Sequence, residues 1–475
     1  MDLIKKINTV EVNMEDFETT ELETDDSGVF QRAINEANRT GARVIRLKSN
    51  STYNVSTKII SFDDLTFIGD NTKIVGTQTP KFMDAMDRNL FIGIWFDNYN
   101  FVVQSNKEQV SFENCIFTNI GTVAIYYYGG RESYVKNCRF SGILNSSIVI
   151  DDEAINITIQ DSFFTNELPF NGKVEESSNS AHIYGLSGRN IFVLNNKVYN
   201  SGGQGIIFGN NSTSGKGVTY SQAIGNHCEG NGQEGITCFG FFEDSQWTTF
   251  GNTILGNTCI NNRFHQIEIW QSPDNTVIGN TVDESGTSGN MGAITLFQTN
   301  RTICTGNRIL NAANNGIAVL FGTDKNIITN NNIIGTNHKM PPSEEATSGH
   351  GILLDSNGGE SPTNIIIKDN IIESKDTTKT VDLNKWGIYS TTTSMQGNTI
   401  RDNQSYGYKG ETHYFAKKTT KHLNDVKPVG ALSGYDSFVE NITIKELGKA
   451  GAKYVIKGWD LIETVWVDNR VLTGN

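Results

Sequence analysis

The chain has 475 residues, with 47 Gly, only 7 Pro and a formal net charge of −13. Acidity of that size disfavours gripping nucleic acid or an anionic membrane, because both call for clustered Lys and Arg. The start, "MDLIKKINTVEVNMEDFETTELETDD", lacks the apolar run of a signal peptide, and no later stretch approaches a membrane span.

In chain order, residues 1–24 are acidic and unpatterned and are expected to form a flexible arm. Residues 25–110 read as a helix-capped N-terminal module. Asp26 or Ser27 caps a short helix whose Val29, Phe30, Ala33, Ile34 and Ala37 share one face; a strand at 43–47 and an extended stretch around Tyr53 follow. Such a helix can plug the open end of a stacked sheet.

From 111 to 410 two phrases recur. The first is an Asn-centred turn, at Asn114, Asn137, Asn196, Asn226, Asn257, Asn280, Asn307, Asn332, Asn370 and Asn398, with Asp161 filling the gap in the series. The second is a short alternating strand, as in "GITCF", "QIEIW", "AITLF" and "GIAVL". Intervals of 23 to 38 residues, two or three short strands each, predict an all-β chain folded as a right-handed parallel β-helix of about ten to twelve rungs. Asn tolerates left-handed backbone and bonds its own turn, so stacked Asn should form a ladder. Cys228 and Cys259 fall in one interior column, continued by Val282 and Ile309. Cys115, Cys138, Cys238 and Cys304 likewise read as small core residues, since no zinc or disulfide spacing is present. Residues 411–475 read as a connector and a small C-terminal β-module for capping or trimerisation.

Asp25-Asp26, Phe30-Gln31-Arg32-Ala33-Ile34, Gly41 and Tyr53, followed by these repeats, resemble the pectate-lyase-like right-handed β-helix superfamily, in particular bacteriophage tailspikes and surface-polysaccharide depolymerases. The match spans roughly residues 25–410. It departs from that pattern in "TGARVIRL", which stands where a glycine run is usual, and in having no Pro before Tyr53. The resemblance implies a bacterial surface polysaccharide as partner, a homotrimer, and attachment to phage tail proteins through the N-terminal arm. It also implies a virion protein acting at the host cell surface, which the missing export signal favours over a secreted enzyme. Chemistry is left open, because the fold hosts hydrolases, lyases, epimerases and plain receptor binders.

The aligned strands give an outward column of Tyr184, Ile207, Thr237, Glu268, Thr295, Ala318, Leu353 and Tyr389. Two residues on lie Phe239, Trp270 and Phe297, a three-rung aromatic surface suited to sugar rings. An acid in mid-strand among aromatics makes Glu268 the leading catalytic candidate. Its partner is one of Glu234, Asp244 and Asp274. Glu234 lies one rung before Glu268 and about three residues back, a backbone separation near 11 Å that leaves the carboxyls about 6 to 10 Å apart. That range suits inverting glycoside hydrolysis. His265, Gln271 and Tyr184 join the rings as candidate sugar contacts. No cofactor or metal is expected for this reading. The runner-up is lyase or epimerase chemistry, with calcium held by Asp151, Asp152 and Glu153; yet the outward columns hold no Lys or Arg base. A polygalacturonase-like site at His350 and Asp355 lacks the aspartate pair such a site needs on the preceding rung.

Overall fold

The structure, a computed structural model, describes residues 11–408 apart from 22, 78–80, 167–180, 212–214, 244–245, 288–289, 338–346, 357, 375–384 and 392–396, together with three short strands between 436 and 469. The alternating phrases do form strands. Thirteen of them, from Ile59–Ile60 to Ile388–Ser390, stack as one parallel sheet, and 29 further strands make a second sheet around the coil. A single turn consists of Thr276–Ile278, Thr281–Asp283 and Gly292–Phe297, each paired with its counterpart on the turn before. The chain is a parallel β-helix, as the repeats require.

Coiling begins earlier than the Asn phrases announce. Ile59–Ile60, Lys81–Asp84 and Phe101–Ser105 already belong to the thirteen-stranded sheet, within the segment assigned to a separate N-terminal module. These first turns are held by rings instead. One interior column runs Phe96, Phe117, Phe140, Phe164, Val198, Cys228, Cys259, Val282 and Ile309. Its four phenylalanines stack at 5.4, 4.5 and 4.6 Å between successive centroids. All six cysteines are buried and free, which agrees with their reading as core residues.

The Asn ladder exists, and its register corrects the sequence alignment. Asn196, Asn226, Asn257, Asn280, Asn307, Asn331, Asn370 and Asn403 accept in turn from one another's backbone N–H and side-chain amides. Asn332 therefore gives way to Asn331, and Asn398 belongs to another bend, where it accepts from Ile365 N. Asn114, Asn137 and Asp161 occupy the preceding left-handed position, with φ of 56°, 52° and 53°. Cys115, Cys138 and Ser162 stand in the ladder column there. Two adjacent Asn-rich positions, one needing positive φ and one a buried amide, look alike in sequence.

The N-terminal helix runs Ser27–Thr40, ends on Gly41 at φ 75°, and buries the expected Val29, Phe30, Ala33, Ile34 and Ala37. Asp26 is the N-cap residue but its side chain makes no capping bond. Instead Asp26 accepts from Asn54 N and Asp25 from Ser27 N and Ser56 N, lashing the helix start to the strand Thr52–Asn54 and the residues just past it. Part of the expected arm is ordered: Glu11–Asn13 pairs in parallel with Val44–Arg46, burying Val12 and Met14. Asp436–Ser437, Ile456–Asp460 and Val465–Asn469 form a small antiparallel sheet, and the rest of the expected C-terminal module lies outside the described residues. Among the described residues no helix is long and apolar enough to cross a membrane.

Candidate active site

Strands Ile236–Phe239, Ile267–Trp270, Gly292–Phe297 and Asn315–Leu320 lie side by side in the thirteen-stranded sheet. Their register matches expectation: Thr237, Glu268, Thr295 and Ala318 form one column, and Phe239, Trp270, Phe297 and Leu320 the next. Ile267 and Ile269 point inward and are fully buried, which turns Glu268 and Trp270 to the opposite face.

The rings form a continuous strip. Trp270 stacks on Phe297 at 4.1 Å and 20°, and Phe239 meets Trp270 at 6.2 Å and 45°. All three are half-buried. The strip is longer than the sequence indicated, since Phe321 stacks on Phe297 at 5.4 Å and Phe241 packs edge-on against Phe239 at 5.0 Å. Phe321 lies just past its strand, on left-handed backbone at φ 54°, so strand periodicity could not have found it. Beyond Phe241 two short antiparallel strands pair Phe242 with Trp247, rings 4.9 Å apart.

Glu268 is not on an open face. It is 6% exposed, as is Glu234, and His265 is 4% exposed. Outward here means out of the solenoid interior, where Glu268 stands between the ring column of its own strand and the neighbouring Glu234 and His265. One oxygen of each carboxylate and one ring nitrogen of His265 all lie within 4.8 Å of one another. Each acid thus has an oxygen nearer to the other than the roughly 6 to 10 Å expected from backbone spacing.

Burial dominates the electrostatics. It lifts Glu234 to about 7 and, with the Glu234 charge beside it, holds Glu268 well above the usual carboxylate range. Burial lowers His265 to about 4, so its ring is neutral. Nδ1 lies 2.8 Å from the Gly292 carbonyl oxygen, which can only accept, so Nδ1 carries the proton and Nε2 is left bare. Nε2 faces Glu268 Oε1 at 3.5 Å. Thr295 Oγ1 donates to the same Gly292 carbonyl and braces the ring at 3.0 Å.

The remaining candidates are placed less centrally. Asp274 sits on an exposed turn at φ 60°, and both its oxygens go to Arg301, at 2.6 and 2.7 Å, rather than to Glu268. Asp244 lies outside the described residues. Gln271 donates to Gln298 on the next rung, beside the strip. Tyr184 is in the Glu268 column but three rungs away, across Ile207 and Thr237. Of the other constellations, Asp151 accepts from Ser187 and Tyr126, and Glu153 is paired with Lys216. The His350 ring is stacked on Tyr389, and Asp355 accepts from Thr391.

One buried acid escaped the sequence entirely. Glu284, 1% exposed, accepts from Gln266 Nε2 at 3.2 Å and from Ala313 N at 2.7 Å. Gln266 in turn accepts from Asn262, which ends a second ladder begun at Asn231. This network adjoins the site through Gln266, the residue after His265.

The family described as "Right handed beta helix region" matches residues 100–259 and 244–405, more than half of the chain. No curated protein sequence matches. Among solved structures, the Dettilon tailspike protein is 19% identical at a TM-score of 0.50, covering 68% of this chain and 66% of that one. The A-module of an Azotobacter vinelandii mannuronan C-5 epimerase is 15% identical at 0.53, covering 84% of this chain and 100% of that one. A double mutant of the tailspike protein of E. coli bacteriophage HK620 is 12% identical at 0.52, covering 86% and 80%.

Proposed function

Because the chain belongs to the family of right-handed β-helix regions, we propose that it is a tailspike-like depolymerase that binds a bacterial surface polysaccharide along its thirteen-stranded face and hydrolyses it. The observation that carries this reading is the juxtaposition of a stacked aromatic strip with a buried carboxylate pair. Sugar rings stack on such strips through their apolar faces, and a glycosidic bond is cleaved by two carboxyls acting as acid and as base or nucleophile. Glu268, which shares its strand with Trp270, is the acid in this reading and Glu234 its partner. One oxygen of each lies within 4.8 Å of the other, and so close a pair favours a retaining mechanism, in which the carboxyls stand roughly 5–5.5 Å apart, with Glu234 as nucleophile. Asp274, tied to Arg301, is a poorer partner.

The Dettilon and HK620 tailspike proteins and a mannuronan C-5 epimerase A-module share the fold, and a mutant of the HK620 tailspike is seen in complex with a pentasaccharide. Location on a phage tail and assembly as a homotrimer rest on the resemblance to tailspikes alone. Incubation with host surface glycans separates the chemistries: hydrolysis releases reducing ends without unsaturated sugar, a lyase produces unsaturated sugar, and a receptor binder releases neither. Glu268→Gln is expected to lower reducing-end release at least about a hundredfold while leaving glycan binding intact. Full cleavage by Glu268→Gln would remove Glu268 from the mechanism.

A further inference from the structure

The site holds more ligand chemistry than an acid and its partner require. Imidazole nitrogen and carboxylate oxygen are the donors that zinc, manganese and iron take, and no thiolate competes here. His265 presents a bare Nε2 because Nδ1–H is donated to Gly292, the arrangement by which proteins orient a metal-binding imidazole. That lone pair faces an oxygen of Glu268 at 3.5 Å, long for a strong hydrogen bond. It is close to the roughly 3.3–3.4 Å edge between two ligands of a tetrahedral ion with bonds of about 2.0–2.1 Å. A second observation is independent of these three residues. Thr237 is 2% exposed, and its Oγ1 has no hydrogen-bond partner among the described residues. It is the register neighbour of Glu268 on the preceding strand and lies three residues after Glu234, so its unused oxygen belongs to the same outward column as the Glu268 carboxylate.

We propose that Glu234, His265, Glu268 and Thr237 form a binding site for a divalent cation of the zinc class, whose occupancy withdraws the same carboxylates from acid–base work. The cation-binding half stands on the geometry above, and the inhibitory half rests on the glycan-cleaving reading of this site. With Zn2+ bound, neither carboxyl is available to protonate a leaving oxygen or to attack a sugar carbon.

Calorimetric titration of ZnCl2 into the chelator-stripped full chain, without glycan, reads the site directly. One equivalent is expected to bind, with affinity at least about tenfold lower in Glu268→Gln and in His265→Gln. No uptake by the native chain, or equal uptake by these variants, overturns the site. Thr237→Val keeps the shape of its side chain, so it tests the site even where the other variants fail to fold; it is expected to weaken binding severalfold, and unchanged affinity removes Thr237 as a ligand. Reducing-end release from host glycan is then measured with and without Zn2+. Inhibition reversed by chelator supports the second half, and stimulation overturns it. A chain that binds Zn2+ but never releases reducing ends sinks the hydrolase reading alone and leaves the cation site standing.

Discussion

Glu284 shows how one residue ties the fold to solution conditions. Its carboxyl is walled in, satisfied by Gln266 and Ala313, and lifted from an ordinary value of 4.5 to about 7 by burial, with the nearby Asp283 charge adding to the shift. The folded chain therefore binds this proton more tightly than the unfolded chain. Its stabilising contribution is full below pH 4.5 and is lost as pH rises through 7, amounting to roughly 3 kcal/mol across that window. Urea unfolding of Glu284→Gln should show a distinctly flatter dependence on pH between those limits than the native chain; an unchanged slope would mean that Glu284 does not set it. Trp270 is the other residue whose removal is diagnostic. It bridges Phe239 and Phe297, so Trp270→Ala interrupts the strip at its centre. Stacking of this kind is worth about 0.5–1.5 kcal/mol beyond area burial, so glycan affinity by calorimetry should fall about tenfold. A change under twofold would place the sugar elsewhere.

Among the elements, the Asn ladder is what keeps successive bends in register. Asn257 illustrates the cost of breaking it: Oδ1 accepts from Asn226 N and Nδ2, while Nδ2 donates to the Ala223 carbonyl and to Asn280. Asn257→Ala leaves a buried N–H and a buried carbonyl unsatisfied, at about 2–4 kcal/mol. A solenoid's turns contact only their neighbours. The loss should therefore appear as faster amide hydrogen exchange confined to the turns around residues 226–280, and protection lost evenly along the chain would argue against that locality. The ladder was legible in the recurring Asn, but its register was not. Positive φ at Asn114, Asn137 and Asp161 and a buried amide at Asn196 and Asn226 favour the same residue type for different reasons, and hydrogen bonds are needed to tell them apart.

For the molecule as a whole, both ends of the stack must be closed. Phe30 on the N-terminal helix meets Tyr53 and Phe82 edge-on at 5.2 and 6.0 Å and covers the first turns. Phe30→Asp buries a charge at that lid, so the folded chain is expected to open there and aggregate, as light scattering would register; a monodisperse variant of native stability would show the lid to be dispensable. The sequence by itself determined the coil, the inward and outward faces of each strand, the core cysteines and the neighbour relation of Phe239, Trp270 and Phe297, because a period of two and a repeated turn leave little freedom once one turn is placed on the next. Only the tertiary structure decided how deep the acids lie, that Glu234 and His265 gather around Glu268, that Arg301 occupies Asp274, and that Phe321 extends the strip. Those facts depend on where side chains bend and what hems them in across neighbouring turns, and no local pattern encodes that.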